Sequence, residues 1–108
     1  MPYRHDFEAI ADWGPLEAVA LLLARDDVEV ELENFMHMGC AVNEEGNRVF
    51  LYKHVNTRRY LNLDKGGQAY VFRVIRRRGK ERHEYELFPS LLLAVWRAQV
   101  IEPPLLAS

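Results

Sequence analysis

Between residues 36 and 88 the chain is divided into short segments by turn signals of one repeated kind, and this spacing limits the possible folds more than any other feature. Asn43-Glu44-Glu45-Gly46 and Asp64-Lys65-Gly66-Gly67 each place Asn or Asp first and Gly fourth. A type I turn followed by a residue in the left-handed region needs this pattern, and it is a common hairpin connection. Gly79-Lys80 suits a two-residue hairpin with Gly where a positive φ is needed, and Asn56-Thr57 suits a further tight turn. The intervening segments, about 36–43, 48–55, 58–63, 68–78 and 81–88, are then strands of an antiparallel meander.

The flanks read as helices. Gly14-Pro15 opens the first, since proline is preformed for the first helical position and Glu17 complements the positive end of the dipole. Leu16, Val19, Ala20 and Leu23 follow the i, i+3, i+4, i+7 spacing of a buried stripe, and Asp26 and Asp27 end the run. Residues 7–12 suggest a preceding helical turn, with Phe7, Ile10 and Trp13 toward the core. Val28-Glu29-Val30-Glu31-Leu32-Glu33 alternates with the period of a half-buried strand. Pro89 precedes a last helix, Ser90 to Gln99, which Pro103-Pro104 cannot continue. With 108 residues, 49% hydrophobic and 28% charged, the composition is that of one globular domain spanning 1–108. The expected fold is α+β: a five- to six-stranded, mostly antiparallel meander sheet with an N-terminal and a C-terminal helix packed on one face.

Turn positions set the register, and register sorts side chains by face. The turns as assigned pair Asn43 with Asn47, Val55 with Arg58, Asp64 with Gln68 and Arg78 with Glu81. One face then holds Met36, Met38, Cys40, Val42, Phe50, Tyr52, Leu61, Leu63, Ala69, Val71, Ile75 and Phe88, an aliphatic and sulfur-bearing set expected beneath the helices. The other holds Val49, Leu51, Val55, Tyr60, Tyr70, Phe72, Val74, Tyr85 and Leu87, bordered by Lys53, Arg58, Arg76 and His83.

Several chemistries are disfavoured. Cys40 is the only cysteine, which leaves no intrachain disulfide and no cysteine zinc cluster. Met36-His37-Met38-Gly39-Cys40 has soft-metal residue types, but on a strand His37 points away from Cys40, and Met and Cys are favoured core fillers. His54 could reach Met36 across the hairpin, yet it lies too far along the strand to activate Cys40 as a nucleophile. Asp26/Asp27 and Glu44/Glu45 sit in turns as solvated carboxylates, and no glycine-rich phosphate loop precedes a helix. No metal, no cofactor and no catalysis are expected. The opening residues, MPYRHDFEAI, lack the layout of a signal peptide, and the longest apolar run, Ala18 to Ala24, is far short of a membrane span, so a cytoplasmic address is expected.

Charge is unevenly distributed. Residues 26–45 carry seven acidic side chains and no Lys or Arg, whereas residues 46–82 carry eleven Lys and Arg against Asp64 and Glu81. Either the basic part meets an anionic partner or acidic and basic strands neutralise each other within the sheet, and a pI near 6.1 favours the second. The basic hairpin from Arg73 to Arg82 is the strongest local feature. In the assigned register Arg73 meets Glu86, Arg78 meets Glu81 and Ile75 meets Glu84, so Arg76, Arg77, Lys80 and Arg82 remain spare. Together with Arg58 and the aromatic Tyr60, Tyr70, Phe72 and Tyr85, these form the candidate partner-binding surface. Such a face is either covered or homodimeric, or binds a foreign protein, or binds nucleic acid, in that order. The expected function is a non-catalytic protein-binding module: an accessory subunit, adaptor or stoichiometric inhibitor. The alternative is an RNA- or single-strand-binding module that uses the same aromatic face and arginine hairpin.

Overall fold

The computed structural model describes residues 4–6, 11–43 and 45–100. A three-residue strand, β1 (Arg4–Asp6), lies against the edge of β2 (Phe35–Val42). Next come β3 (Arg48–His54), β4 (Tyr60–Leu63), β5 (Ala69–Arg77) and β6 (Lys80–Phe88), each antiparallel to its predecessor in chain order. With α1 (Gly14–Ala24) and α2 (Leu91–Gln99), this is an α+β arrangement around an antiparallel meander. The expected helical turn at 7–12 lies largely outside the described residues.

Two hairpins form as the turn chemistry requires. Asn43 and Asp64 each accept a backbone N–H from the residue three positions on, and Gly46 and Gly67 both sit at φ 84°. Asn43 Oδ1 also accepts from the amides of Glu45 and Asn47, and Asp64 Oδ1 accepts from that of Gln68. The β3–β4 connection is wider than a two-residue turn: His54 and Arg59 close it, and Arg58 takes the positive φ. Its register is nevertheless the expected one.

Four expectations need correction. First, β2 carries a β-bulge between His37 and Cys40, where Gly39 has φ 93° and its N–H donates to His37 Nδ1. The extra residue reverses the faces upstream. Met38 therefore packs beside Ala41 and Val49 on the aromatic side, and Met36 is left exposed. Second, His37 comes to share the core side with Cys40, opposite Tyr52. Third, the last hairpin turns at Arg78-Gly79, both at positive φ, and not at Gly79-Lys80. This moves the register by two residues, so faces are preserved but partners change: Arg73 lies opposite Glu84, Ile75 opposite Arg82, and Arg76 opposite Glu81. Fourth, Val28 to Glu33 is not a strand. Its backbone groups bond to Gln99 of α2, through Glu31 N–H and Glu29 C=O, and a 3-10 turn follows at Leu32–Asn34.

One buried cluster contains Leu16, Val19 and Leu23 of α1, Val95 and Ala98 of α2, and Phe50, Tyr52, Leu61, Leu63 and Ala69 of the sheet. On the opposite side Ala41, Val49, Leu51, Tyr70 and Tyr85 form a second buried cluster. This cluster draws side chains from β2, β3, β5 and β6.

Candidate functional site

β4 is only four residues long, and its ladder to β5 consists of Asn62–Tyr70 and Leu63–Ala69. β5 continues alongside β6 as far as Arg77, in an unbroken run of nine pairs. Beyond Tyr70, β4 and β5 separate, which creates two linked features. One is a cleft of about 490 Å³ between Tyr60 and Leu61 on one wall and Val71 and Phe72 on the other, with Ala94 and Arg97 of α2 at its border. The second is a β5–β6 arm that is mostly exposed from Arg73 to Arg82.

The cleft brings together Tyr60, Tyr70, Phe72 and Tyr85, four of the side chains singled out from the sequence. They are not equivalent. Tyr60 and Phe72 are 44% and 39% exposed, whereas Tyr70 and Tyr85 are 7% and 8% exposed and belong to the buried cluster. The Tyr70 hydroxyl donates to Asp64 Oδ2 at 2.8 Å. Burial, aided by that bond and the Asp64 charge, pushes its pKa up to about 12. Phe72 packs against Tyr85 and His83 with ring centroids at 5.0 and 5.5 Å. Arg58 stands apart in the β3–β4 turn, and Arg76, Arg77, Lys80 and Arg82 lie out along the arm.

Charge on the arm is partly answered. Arg73 Nε is 3.0 Å from Glu86, Arg82 Nη2 is 2.8 Å from Glu84, and Arg76 Nε is 3.7 Å from Glu81. Arg76 and Arg82 are therefore not spare as expected. The His83 hydrogen bond, with Arg76 nearby, holds the Glu81 carboxyl below the usual range. Among the described residues no ion pair reaches Arg77, Arg78 or Lys80, which cluster at the tip. The exposed pairs Arg73–Glu86 and Arg76–Glu81 contribute about 0–1 kcal/mol each, whereas Glu84 is itself buried beneath Arg82.

Three lining residues escape sequence reasoning. Arg59 reaches the cleft because its guanidinium donates to the carbonyl of Arg97 at 3.0 Å, while the Arg97 guanidinium lies over the Phe88 ring. Asn62 is buried, its amide N–H donates to the Tyr70 carbonyl, and its Oδ1 has no partner. A polar residue facing Leu51 in the middle of β4 is the signal that could have identified it.

Cys40 and His54 lie outside the cleft, and both are buried. Cys40 is buried, with Arg48 Nη1 3.3 Å from its sulfur. His54 is buried opposite Phe35, its Nε2 bonded to Glu31 and its Nδ1 accepting the amides of Asn56 and Thr57. Among the described residues no three His, Cys, Asp or Glu side chains converge, and no helix is long and apolar enough to cross a membrane. No known protein family matches the chain, and searches of curated proteins and of solved structures return no significant match.

Proposed function

We propose that this protein is a small, non-catalytic, cytoplasmic binding module that docks on another protein as an accessory subunit, adaptor or stoichiometric inhibitor. The observation that carries the reading is the cleft between β4 and β5, where exposed Tyr60 and Phe72 stand at the root of a cationic arm. Interfaces favour aromatic residues and arginine in this combination. Buried residues of α1 and α2 share one cluster, and this supports a reading in which both helices cover one face and leave the cleft side for a partner. The acidic stretch before residue 46 and the basic stretch after it add a directional field, which orients an encounter.

Binding of single-stranded nucleic acid is the second reading, favoured by two exposed aromatic rings at the root of an arm whose tip carries Arg77, Arg78 and Lys80. The burial of Tyr70 and Tyr85 counts against it, because a stacking platform needs accessible ring faces. A second copy of the chain is the remaining occupant. The test is affinity capture from native cell extract with the full chain and with a Tyr60→Ala/Phe72→Ala variant, each with and without nuclease. A protein kept by the wild type after nuclease and lost by the variant is the expected result. Retention that nuclease abolishes would transfer the proposal to nucleic acid. Capture only of the chain itself would mean self-association.

A further inference from the structure

Resting on the protein-docking reading above, we propose that the partner binds as an extended acidic segment that adds as a strand to the open edge of β5. The direction of the main chain makes this possible. Asp64 N–H donates to the Gln68 carbonyl across the β4–β5 link, and in an antiparallel ladder the residues that bond to one side recur every second position. Counting along β5 from Gln68, Val74 and Arg76 turn their N–H and C=O toward the side where β4 would stand. The two-residue hairpin agrees, since it is closed by Arg77 and Lys80, and alternate residues back from Arg77 bond to β6. β4 begins only at Tyr60, and among the described residues β4 and β6 are the neighbours of β5. Val74 and Arg76 thus present a strand edge that continues straight out of the cleft.

Natural edges are guarded by proline, by bulges or by charge. β5 has no proline, and its ladder with β6 is regular throughout. Its one guard is positive charge, which repels a basic strand and admits an acidic one. The cleft has the same preference: among the described residues Arg59 and Arg97 are its charged lining residues, and no carboxylate lines it. Asn62, 5% exposed, ties this wall of the cleft to β5 through its side-chain bond to the Tyr70 carbonyl. An apolar side chain then fills the space between Leu61 and Phe72, and a flanking carboxylate meets Arg77, which no ion pair among the described residues reaches.

The probe is a labelled, end-blocked decapeptide of alternating Val and Glu with one central Phe, titrated against the full-length chain by fluorescence anisotropy. Amide hydrogen exchange is followed in parallel. Three comparison probes accompany it: one with every Glu replaced by Lys, and two N-methylated at alternate residues in either phase. We expect binding of the acidic probe, exchange of Val74 and Arg76 slowed about tenfold or more at saturation, and about tenfold weaker binding of the lysine probe and of one methylated probe. Val74→Pro removes an edge N–H that β6 does not use, and should weaken binding about tenfold where Val74→Ala does not. If Val74→Pro fails to fold, the methylated probes still decide the matter. Equal binding of both methylated probes, absence of protection at Val74 and Arg76, or no binding of the acidic probe would overturn strand addition. The docking reading, which is tested by partner capture with the cleft variant, would survive each of these. Displacement of the bound probe by a single-stranded oligonucleotide at physiological salt would overturn both.

Discussion

Truncating His54 to alanine removes a side chain that holds three separate segments together. The ring is 1% exposed, with Nε2 2.7 Å from Glu31 and Nδ1 3.2 Å from the amides of both Asn56 and Thr57. Because Nδ1 accepts, the hydrogen sits on Nε2 and is donated to the carboxylate. Three hydrogen bonds at a net of about 1 kcal/mol each give about 3 kcal/mol. The space left against Phe35, whose ring centroid lies 5.0 Å away, adds about 1 kcal/mol by the usual cavity cost. The total is about 4 kcal/mol, which for a domain of this size lowers the melting temperature by roughly 12–20 °C. Urea unfolding followed by tryptophan fluorescence and circular dichroism measures it, since the two probes together test two-state behaviour. Glu31→Gln retains an acceptor for Nε2–H and should cost under about 1 kcal/mol, whereas Glu31→Ala should couple to His54→Ala in a double-mutant cycle by about 1–2 kcal/mol. A loss below about 1 kcal/mol for His54→Ala would refute the argument, because three partnered bonds and a filled core site cannot all be worth so little.

Three further outcomes follow from the same structure. His37 lies among Trp13 and Tyr52 with Nε2 buried and without a partner, and burial lowers its pKa against the opposing pull of Asp12; stability should therefore be complete above pH 6.5 and decline as pH falls, with a shallower acid limb in His37→Phe, measured by urea midpoints from pH 4.5 to 8. Tyr70 has its pKa raised to about 12, chiefly by burial, so the stability it contributes is complete below pH 10 and is lost as pH climbs through 12; the two-unit rise corresponds to at most about 2–3 kcal/mol, and Tyr70→Phe should flatten the alkaline limb of urea midpoints taken in a separate series above pH 9. Cys40 is 3% exposed and should react with a thiol reagent far more slowly in the native state than in denaturant, so rapid native labelling would contradict its core placement.

The parts of this fold that can be read from the sequence are those encoded by neighbours in the chain. Asn43 with Gly46 and Asp64 with Gly67 specify their turns through a side-chain bond and a positive φ, both local, so the hairpin registers follow. The last hairpin shows the limit: Arg78-Gly79 and Gly79-Lys80 both contain glycine, and choosing between them requires Arg78 to adopt a left-handed conformation uncommon for its type. The error of two residues spares the faces because side-chain direction repeats every two. Gly39 inside β2 is itself the mark of a bulge, legible in principle since an interior strand glycine weakens pairing without some such purpose. By contrast, nothing within Val28 to Glu33 reveals that Gln99, from the far end of the chain, would take its backbone groups.

The cleft belongs to this second, non-local kind, and its cause lies in the ties that hold the start of β4. Thr57 Oγ1 donates to the Ala98 carbonyl, Arg59 reaches the carbonyls of Arg97 and Val100, and His54 gathers the intervening amides. These bonds commit residues 54–59 to the end of α2. Had the β4–β5 ladder continued in its established register, Tyr60 would stand opposite Phe72; instead both line the opening. The separation of β4 from β5 is therefore produced by the anchoring of one loop on one helix, and not by any weakness in β5, whose pairing with β6 is complete. A segment added there, as proposed, would meet one wall tied to α2 and a strand edge already paired with β6, and would lose little free energy to ordering them.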